Sequence, residues 1–137
     1  MKNGNFLVKK DGSKIGILGY GEVGRAIAEF YRNPRLRKRF GEQAKIKDLN
    51  RDDGLKEVEI LHICLPWSKN FVKIVKKEIK KIRPKLIIIH STIPIRTPKK
   101  LALSLPKGLG RMIVHSPIRG VHPKLYQGIK TFVKYIG

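Results

Sequence analysis

Three glycines at a characteristic spacing are the first residues in this sequence that point to a chemistry. Gly19, Gly21 and Gly24 form a GxGxxG pattern directly after an apolar run at residues 14–18. Such a turn lets the backbone approach a pyrophosphate, and the N–H groups and dipole at the start of the following helix favour negative charge. Asp48, at the end of the next predicted strand, is placed to accept hydrogen bonds from a ribose diol. The pattern predicts a dinucleotide site; a structural glycine turn in an unrelated α/β domain is the alternative.

Asp48 also bears on which dinucleotide would bind. A carboxylate at this position repels a 2′-phosphate and so favours NAD over NADP. Arg51 lies nearby, and a side-chain rotation or a different strand register would let it bind that phosphate instead. NAD is the cofactor that we predict. Further contacts to the cofactor are expected from Glu22, Val23, Leu65, Pro66 and Ser91.

A second set of polar residues follows two later predicted strands, at the edge where open α/β sheets bind ligands. Ser91 and Thr92 follow one strand, and His115 and Ser116 follow the next. His115 is the best candidate for a general base, because histidine titrates near neutral pH and suits proton removal from an alcohol as hydride leaves. A strand-end histidine bonded to backbone is the alternative. Ser91 and Thr92 would orient the nicotinamide or the substrate, or act as plain turn residues.

Substrate contacts are expected from Arg96, Arg119 and Ser116. The two arginines suit bidentate binding of a carboxylate or phosphate, although both also fit a surface role. Cys64 lies inside an apolar run and is expected to be a small core residue. No pair of histidines has metal-ligand spacing with an acid nearby, so no metal site is predicted.

Alternating strand and helix patterns supply the scaffold for these residues. Strands are predicted at residues 14–18, 44–48, 58–65, 86–89, 112–114 and 131–136, and helices at 22–31, 68–82 and 98–105. This order predicts an α/β fold with a three-layer, doubly wound (Rossmann), mostly parallel sheet in a single domain. The connection after the second strand is too short for a crossover helix, so that strand is expected at a sheet edge.

Length and composition restrict the class of protein. The chain has 137 residues, of which 41% are hydrophobic, enough for one domain with a core. We expect a polar tail at residues 1–12, a dinucleotide-binding domain at 13–137 and no substrate domain. The apolar runs are too short to cross a bilayer. A single cysteine excludes an intramolecular disulfide and fits a reducing, cytoplasmic location.

The charge points to an anionic partner. There are 31 Lys and Arg residues against 10 Asp and Glu residues, a net charge of +21, and residues 79–137 contain no acid. The acid-free part includes the predicted substrate side of the sheet, which favours an anionic small-molecule substrate or an acidic partner chain. No helix-turn-helix or aromatic-interleaved basic motif accompanies the lysines, which argues against nucleic acid.

The sequence resembles the N-terminal domain of the 6-phosphogluconate-dehydrogenase-like superfamily, most closely that of the UDP-glucose/GDP-mannose dehydrogenases. The resemblance covers about residues 13–137 and rests on IGILGYGEVG (15–24), ILHICLP (60–66) and HSTIP (90–94). It implies NAD-dependent oxidation of a nucleotide sugar, with Thr92 matching a threonine that helps to position an active-site water.

The sequence also departs from that family. At residues 115–120 it has HSPIRG instead of a glutamate-bearing segment, and the family's catalytic cysteine and lysine lie in later domains. The thiohemiacetal route is therefore not supported by this chain alone. Residues 116–120 are similar to the HPxxG segment of prephenate and arogenate dehydrogenases, with Ser91 matching their serine and His115 displaced by one residue from their histidine.

The sequence thus predicts the NAD-binding domain of a dehydrogenase-like oxidoreductase. A further domain, a second subunit of the same kind or another chain would complete its active site. The alternatives are a prephenate-dehydrogenase-like protein, a nonenzymatic cofactor-binding module and a basic nucleic-acid-associated module.

Overall fold

A computed structural model describes residues 14–40, 43–109 and 112–117. The strands are β1 (Ile15–Leu18), β2 (Lys45–Asp48), β3 (Arg51–Asp52), β4 (Ile60–Ile63), β5 (Leu86–Ile89) and β6 (Ile113–His115). The helices are α1 (Glu22–Phe30), α2 (Pro34–Phe40), α3 (Phe71–Ile82) and α4 (Thr97–Ser104). Within these ranges the strands form one open sheet in the order β3-β2-β1-β4-β5-β6. All neighbouring pairs are parallel except β2 and β3.

Apolar side chains cover both faces of this sheet. On the face of α1, a cluster forms from Ile15, Ile17, Ile27, Ala28, Ala44 and Ile46. The opposite face packs on α3 and α4 through a larger cluster that includes Leu61, Ile63, Phe71, Val75, Ile79 and Leu101. Because successive strand residues point to opposite faces, β1 and β4 contribute to both clusters. The three-layer, doubly wound α/β fold predicted from the sequence is therefore confirmed.

The edge beside β2 differs from the prediction. β2 is not an edge strand, because the two-residue strand β3 pairs with it in antiparallel register. Asp53 fastens this hairpin: its N–H donates to the Ile46 carbonyl at 2.9 Å, and its Oδ2 accepts from the Ile46 N–H at 3.0 Å. A parallel neighbour of β2 would need a long crossover connection, whereas the antiparallel strand β3 needs only a tight hairpin.

Helix α2 is a second departure, since no helix was predicted at residues 34–40. Asn33 Oδ1 accepts the Arg35 N–H at 2.9 Å, and Pro34 is the first helical residue. An asparagine cap followed by proline at the first position is a common helix start. The Asn33-Pro34 pair thus begins one helix shortly after α1 ends.

Helix α3 begins later than predicted, at Phe71 and not at Ser68. Its N-cap residue is Asn70, and Ser68 forms the preceding turn by accepting the Phe71 N–H at 3.0 Å. The predicted final strand at residues 131–136 and the predicted tail at 1–12 lie outside the described residues. None of the described helices is long and apolar enough to cross a membrane.

Candidate nucleotide-binding site

The glycine turn between β1 and α1 has two positions that packing restricts to glycine and one that is open. Gly19 has φ +100°, and a Cβ there would lie 2.8 Å from the Cys64 carbonyl oxygen. A Cβ on Gly24 would lie 2.0 Å from the Gly19 carbonyl oxygen, so α1 approaches the turn closely. Among the residues that the structure describes, a Cβ on Gly21 would meet nothing within 4 Å. The space above Gly21 is therefore open to a ligand.

The start of α1 faces this open space. Gly21 is the N-cap residue, and no side chain caps the helix there. Its carbonyl accepts the Arg25 N–H at 2.9 Å, which closes the first helical turn. Backbone N–H groups at such a start, together with the helix dipole, suit a phosphate group.

Positive charge flanks the turn at Tyr20. The guanidinium carbons of Arg25 and Arg51 lie 5.6 Å and 5.3 Å from the centre of the Tyr20 ring. Arg51 also donates to Asp53, with Nη2 2.9 Å from Oδ2. This hydrogen bond raises the pKa of Arg51 and lowers the pKa of Asp53. Arg51 is thus engaged by both Asp53 and Tyr20.

Asp48 lies at the carboxyl end of β2, exposed and opposite Arg51 in the hairpin register. It lines a cavity of about 350 Å³ whose walls include Leu18, Leu65, Pro66, Phe71 and Ile74. This volume is within the usual range for small-molecule pockets. We call it the Asp48 cavity. Its combination of apolar walls and a carboxylate fits a nucleoside.

Lys47 and Glu78 form a partly buried ion pair on another wall of the Asp48 cavity. Lys47 Nζ lies 3.0 Å from Glu78 Oε1, and the two side chains are 24% and 11% exposed. The hydrogen bond to Glu78 raises the pKa of Lys47. The pair links β2 to α3 beside the β2–β3 hairpin.

A second cavity, of about 490 Å³, lies on the other side of the turn. It includes six of the residues predicted to contact the cofactor: Gly21, Glu22, Val23, Leu65, Pro66 and Ser91. Thr92, predicted as catalytic, also lines it, together with Cys64, Trp67 and His90. We call it the Ser91 cavity. Since it shares Leu65 and Pro66 with the Asp48 cavity, the two form adjoining halves of one elongated region.

His115 is half-buried and lies beside the Ser91 cavity, but it is not one of the described residues that line the cavity wall. Its Nε2 lies 2.9 Å from the Ser91 carbonyl oxygen. That oxygen only accepts, so Nε2 carries the hydrogen, and Nδ1 is the accepting nitrogen of the neutral ring. The Ser91 hydroxyl in turn donates to the Leu65 carbonyl. The ends of β4, β5 and β6 are thus connected.

Of the predicted substrate residues, the two that the structure describes, Arg96 and Ser116, lie outside the described walls of both cavities. Ser116 is only 2% exposed. Arg96 is exposed at the start of α4, outside the described walls of both cavities. Arg119 lies outside the described residues.

The structure also contains a buried histidine pair, His62 and His90, which was not among the residues predicted for the site. His62 Nδ1 lies 2.7 Å from His90 Nε2, and Tyr31 Oη lies 2.8 Å from His62 Nε2. His62 pairs with Ile88 in the parallel register, and His90 comes two residues after Ile88. With this register known, the two-residue period of the strands places both histidines on one sheet face.

Comparisons with known proteins support the fold. Neither a protein-family model nor a curated protein matches the sequence. The structure is similar to the crystal structure of a putative oxidoreductase from Mycobacterium avium 104, with a TM-score of 0.56 and 21% sequence identity. The match covers 80% of this chain and 43% of that chain. The two proteins share a fold, and this chain spans less than half of the length of the solved one.

Proposed function

We propose that this chain is the NAD-binding domain of a dehydrogenase-like oxidoreductase. The observation that best supports this function is the open space above Gly21, which adjoins the start of α1 and the wall of the Ser91 cavity. A sheet, a glycine turn and a helix start in this arrangement are typical of dinucleotide sites. The fold shared with a structure described as a putative oxidoreductase is consistent with the proposal.

The two cavities suggest how the dinucleotide would lie. The adenosine half would occupy the Asp48 cavity, with the carboxylate accepting hydrogen bonds from the ribose hydroxyls. The pyrophosphate would lie over Gly21, against the N–H groups of Glu22 and Val23. The nicotinamide half would enter the Ser91 cavity, where Thr92 offers a hydroxyl. Leu65 and Pro66, common to both cavities, would exclude water along the cofactor.

NAD is favoured over NADP by the surroundings of Asp48 and Arg51. Asp48 is exposed in its cavity, whereas Arg51 is held by Asp53 and stacks on Tyr20. A 2′-phosphate would meet the carboxylate and would have to draw Arg51 away from Asp53. Both effects oppose NADP.

A bound nicotinamide would accept or donate hydride, and the protein would position the reacting groups. Ser91, fixed by its bond to the Leu65 carbonyl, and Thr92 would orient the ring and the substrate. His115 would accept the alcohol proton at Nδ1, because Nε2 is bonded to Ser91. We propose that an anionic substrate, of the nucleotide-sugar or prephenate type suggested by the sequence resemblances, is bound with help from Arg96 and Arg119, whereas Ser116 is too deeply buried to contact it. A further domain or subunit would complete the site.

Titration with NAD+ and NADH tests the cofactor assignment. Wild type should bind both saturably, whereas Gly21→Val should lose binding because its side chain fills the pyrophosphate position. Circular dichroism and thermal melting should show that Gly21→Val is folded, since the space around this position is open. Absence of saturable binding by wild type, or equal binding by both proteins, would refute the proposal.

A further inference from the structure

A line of hydrogen bonds runs across the sheet from the end of α1 to the residue after β6. Tyr31 Oη lies 2.8 Å from His62 Nε2, and His62 Nδ1 lies 2.7 Å from His90 Nε2. His90 Nδ1 lies 2.9 Å from the Ser116 carbonyl oxygen. Both histidines are only 5% exposed. We call Tyr31, His62 and His90 the histidine chain.

The Ser116 carbonyl determines the direction of each hydrogen bond in the neutral chain. A carbonyl oxygen only accepts, so His90 carries its hydrogen on Nδ1. The Nε2 of neutral His90 must then accept from His62 Nδ1, which leaves His62 Nε2 to accept from the Tyr31 hydroxyl. Burial raises the pKa of Tyr31 to about 12, so this hydroxyl keeps its proton at neutral pH.

One added proton changes the chain without breaking it. Whichever ring takes the proton, His62 Nε2 then carries a hydrogen that points at Tyr31 Oη. The tyrosine oxygen can accept this hydrogen by turning its own hydrogen away. A second proton would place two N–H groups face to face across the 2.7 Å contact between His62 and His90. The pair can therefore store one proton.

The surroundings of the pair are mostly apolar on the neighbouring strands. Ile17 and Ile88 are the register partners of His62 on β1 and β5. Within the described part of the chain, the titratable side chains near the pair include Tyr31 at the end of α1, Glu22 and Cys64 in the Ser91 cavity, and His115 on β6, which is bonded to Ser91. His90 lines the same cavity, so a proton on the pair would place a positive charge at the cavity wall.

We propose that the histidine chain couples one proton to the charge of the nicotinamide ring in the Ser91 cavity. This inference rests on the dinucleotide site proposed above. The ring is positive in NAD+ and neutral in NADH, whereas the pyrophosphate and adenosine are common to both. Repulsion between like charges in a partly desolvated cavity therefore weakens NAD+ binding when the pair is protonated. By linkage, NAD+ binding expels the proton, and NADH binding leaves it in place.

The test measures dissociation constants for NAD+ and NADH from pH 6 to pH 8.5, within the range where histidines usually titrate. The ratio of the NAD+ constant to the NADH constant should rise about tenfold towards acid pH. Calorimetry in two buffers with different ionisation enthalpies should detect proton release with NAD+ only. The ¹⁵N shifts of His62 and His90 should report deprotonation on NAD+ binding, which gives a readout independent of any turnover.

Two variants test whether the histidine chain causes the pH dependence of the binding ratio. His62→Gln removes one titrating ring outside the cavity wall and should flatten the ratio against pH. Tyr31→Phe cannot accept the hydrogen of charged His62, so proton uptake becomes harder and the rise in the ratio should move to lower pH. Thermal melting of each variant establishes that it is folded under the titration conditions.

The outcomes separate the two proposals. If neither dinucleotide binds, the proposed function fails and this inference fails with it. If both bind and the ratio is flat in wild type, the cofactor site stands and the proton coupling is wrong. A pH-dependent ratio that survives in His62→Gln and disappears in His115→Gln would assign the proton to the other histidine and overturn the proposal.

Discussion

His115 donates from Nε2 to the carbonyl oxygen of Ser91, at 2.9 Å. The reciprocal bond is also present, because His90, which precedes Ser91, donates from Nδ1 to the carbonyl oxygen of Ser116, which follows His115. Two His-Ser dipeptides at the ends of β5 and β6 are thus tied to each other through opposite ring nitrogens. This cross-tie fixes the wall of the Ser91 cavity.

The cross-tie predicts the tautomer of each buried histidine. When the rings are neutral, His115 should be the Nε2–H tautomer, whereas His62 and His90 should both be Nδ1–H, since each bond ends on an acceptor. Long-range ¹H–¹⁵N correlation spectra distinguish the two tautomers, and single His→Gln variants assign the signals. An Nε2–H tautomer for neutral His90 would contradict the proposed bond to Ser116.

The two glycines that flank the start of α1 should respond oppositely to alanine. In Gly24→Ala the new Cβ would lie 2.0 Å from the Gly19 carbonyl oxygen, so the helix must shift. Overpacking against backbone should lower the free energy of unfolding by about 3 kcal/mol or more. Gly21→Ala is the matched control, because its Cβ meets nothing within 4 Å and its φ of −83° suits alanine.

Urea denaturation measures both glycine variants. The free energy of unfolding of Gly21→Ala should be within about 1 kcal/mol of the wild-type value, whereas its binding of NAD+ should be weaker. Equal loss of stability in the two variants would show that the turn packs differently from the structure.

The Lys47–Glu78 pair predicts a stability loss that disappears at alkaline pH. Lys47→Met leaves the mostly buried Glu78 carboxylate without this partner and should lower the free energy of unfolding by about 2 kcal/mol at pH 7. The folded-state pKa of Lys47 is raised above 10.5 by its hydrogen bond to Glu78. Its contribution is therefore complete below the unfolded pKa and lost as pH rises through the folded pKa. Denaturation at pH 7 and above pH 11 measures the difference.

A double variant serves as the control for this pair. Lys47→Met combined with Glu78→Leu removes both charges and should be more stable than Lys47→Met alone, since no buried carboxylate remains. If the double variant is less stable than wild type by the full sum of the losses in Lys47→Met and Glu78→Leu, the two side chains do not interact.

The bond between Arg51 and Asp53 predicts that the β2–β3 hairpin becomes less stable at acid pH. The hydrogen bond from Arg51 lowers the pKa of Asp53 below 3.8, so its contribution is present above that pH and lost as pH falls through the folded-state pKa. Asp53→Asn should therefore lower stability by less than about 1 kcal/mol at pH 7, because both side chains are partly exposed. The difference from wild type should close near pH 2.

Asp52→Asn is the neighbouring control for that measurement. Asp52 lies 3.9 Å from Lys47 Nζ and is 60% exposed, so loss of its charge should matter less. A larger effect for Asp52 than for Asp53 would contradict the ranking of the two ion pairs.

The sequence predicted most of the fold because the decisive signals are local. The run at residues 15–18 and the glycines that follow define β1 and the turn, and the alternation of strands and helices defines the layers. The hairpin between β2 and β3 was missed because it is stabilised by hydrogen bonds between Asp53 and Ile46. Such a contact leaves no trace in the spacing of apolar residues, from which the strands were predicted. Helix α2 was missed because the Asn33-Pro34 pair, which follows the predicted helix at residues 22–31, suits a helix end, whereas here it begins the next helix.

The residues of the candidate site also fall into those that local sequence signals predict and those that only the folded structure brings together. Gly21 and Asp48 could be proposed from the sequence because their expected roles depend on backbone shape and on position after a strand. His62 was not predicted as a site residue, because it lies in an apolar strand and its bonds to Tyr31 and His90 join elements that are far apart in the chain. Only the strand register brings them together, and register cannot be obtained from each strand alone.

Asp48 leads to the last prediction, on the choice of dinucleotide. Wild type should bind NAD+ more tightly than NADP+, because the carboxylate accepts the ribose hydroxyls and repels a 2′-phosphate. Asp48→Asn removes the charge with little change in shape, so NAD+ should bind about tenfold more weakly and NADP+ more tightly. Adding Arg51→Gln should abolish the gain for NADP+, because Arg51 is the cation opposite residue 48 in the hairpin. Competition titrations with both dinucleotides measure these changes, and tighter binding of NADP+ than NAD+ by wild type would contradict the assignment of NAD.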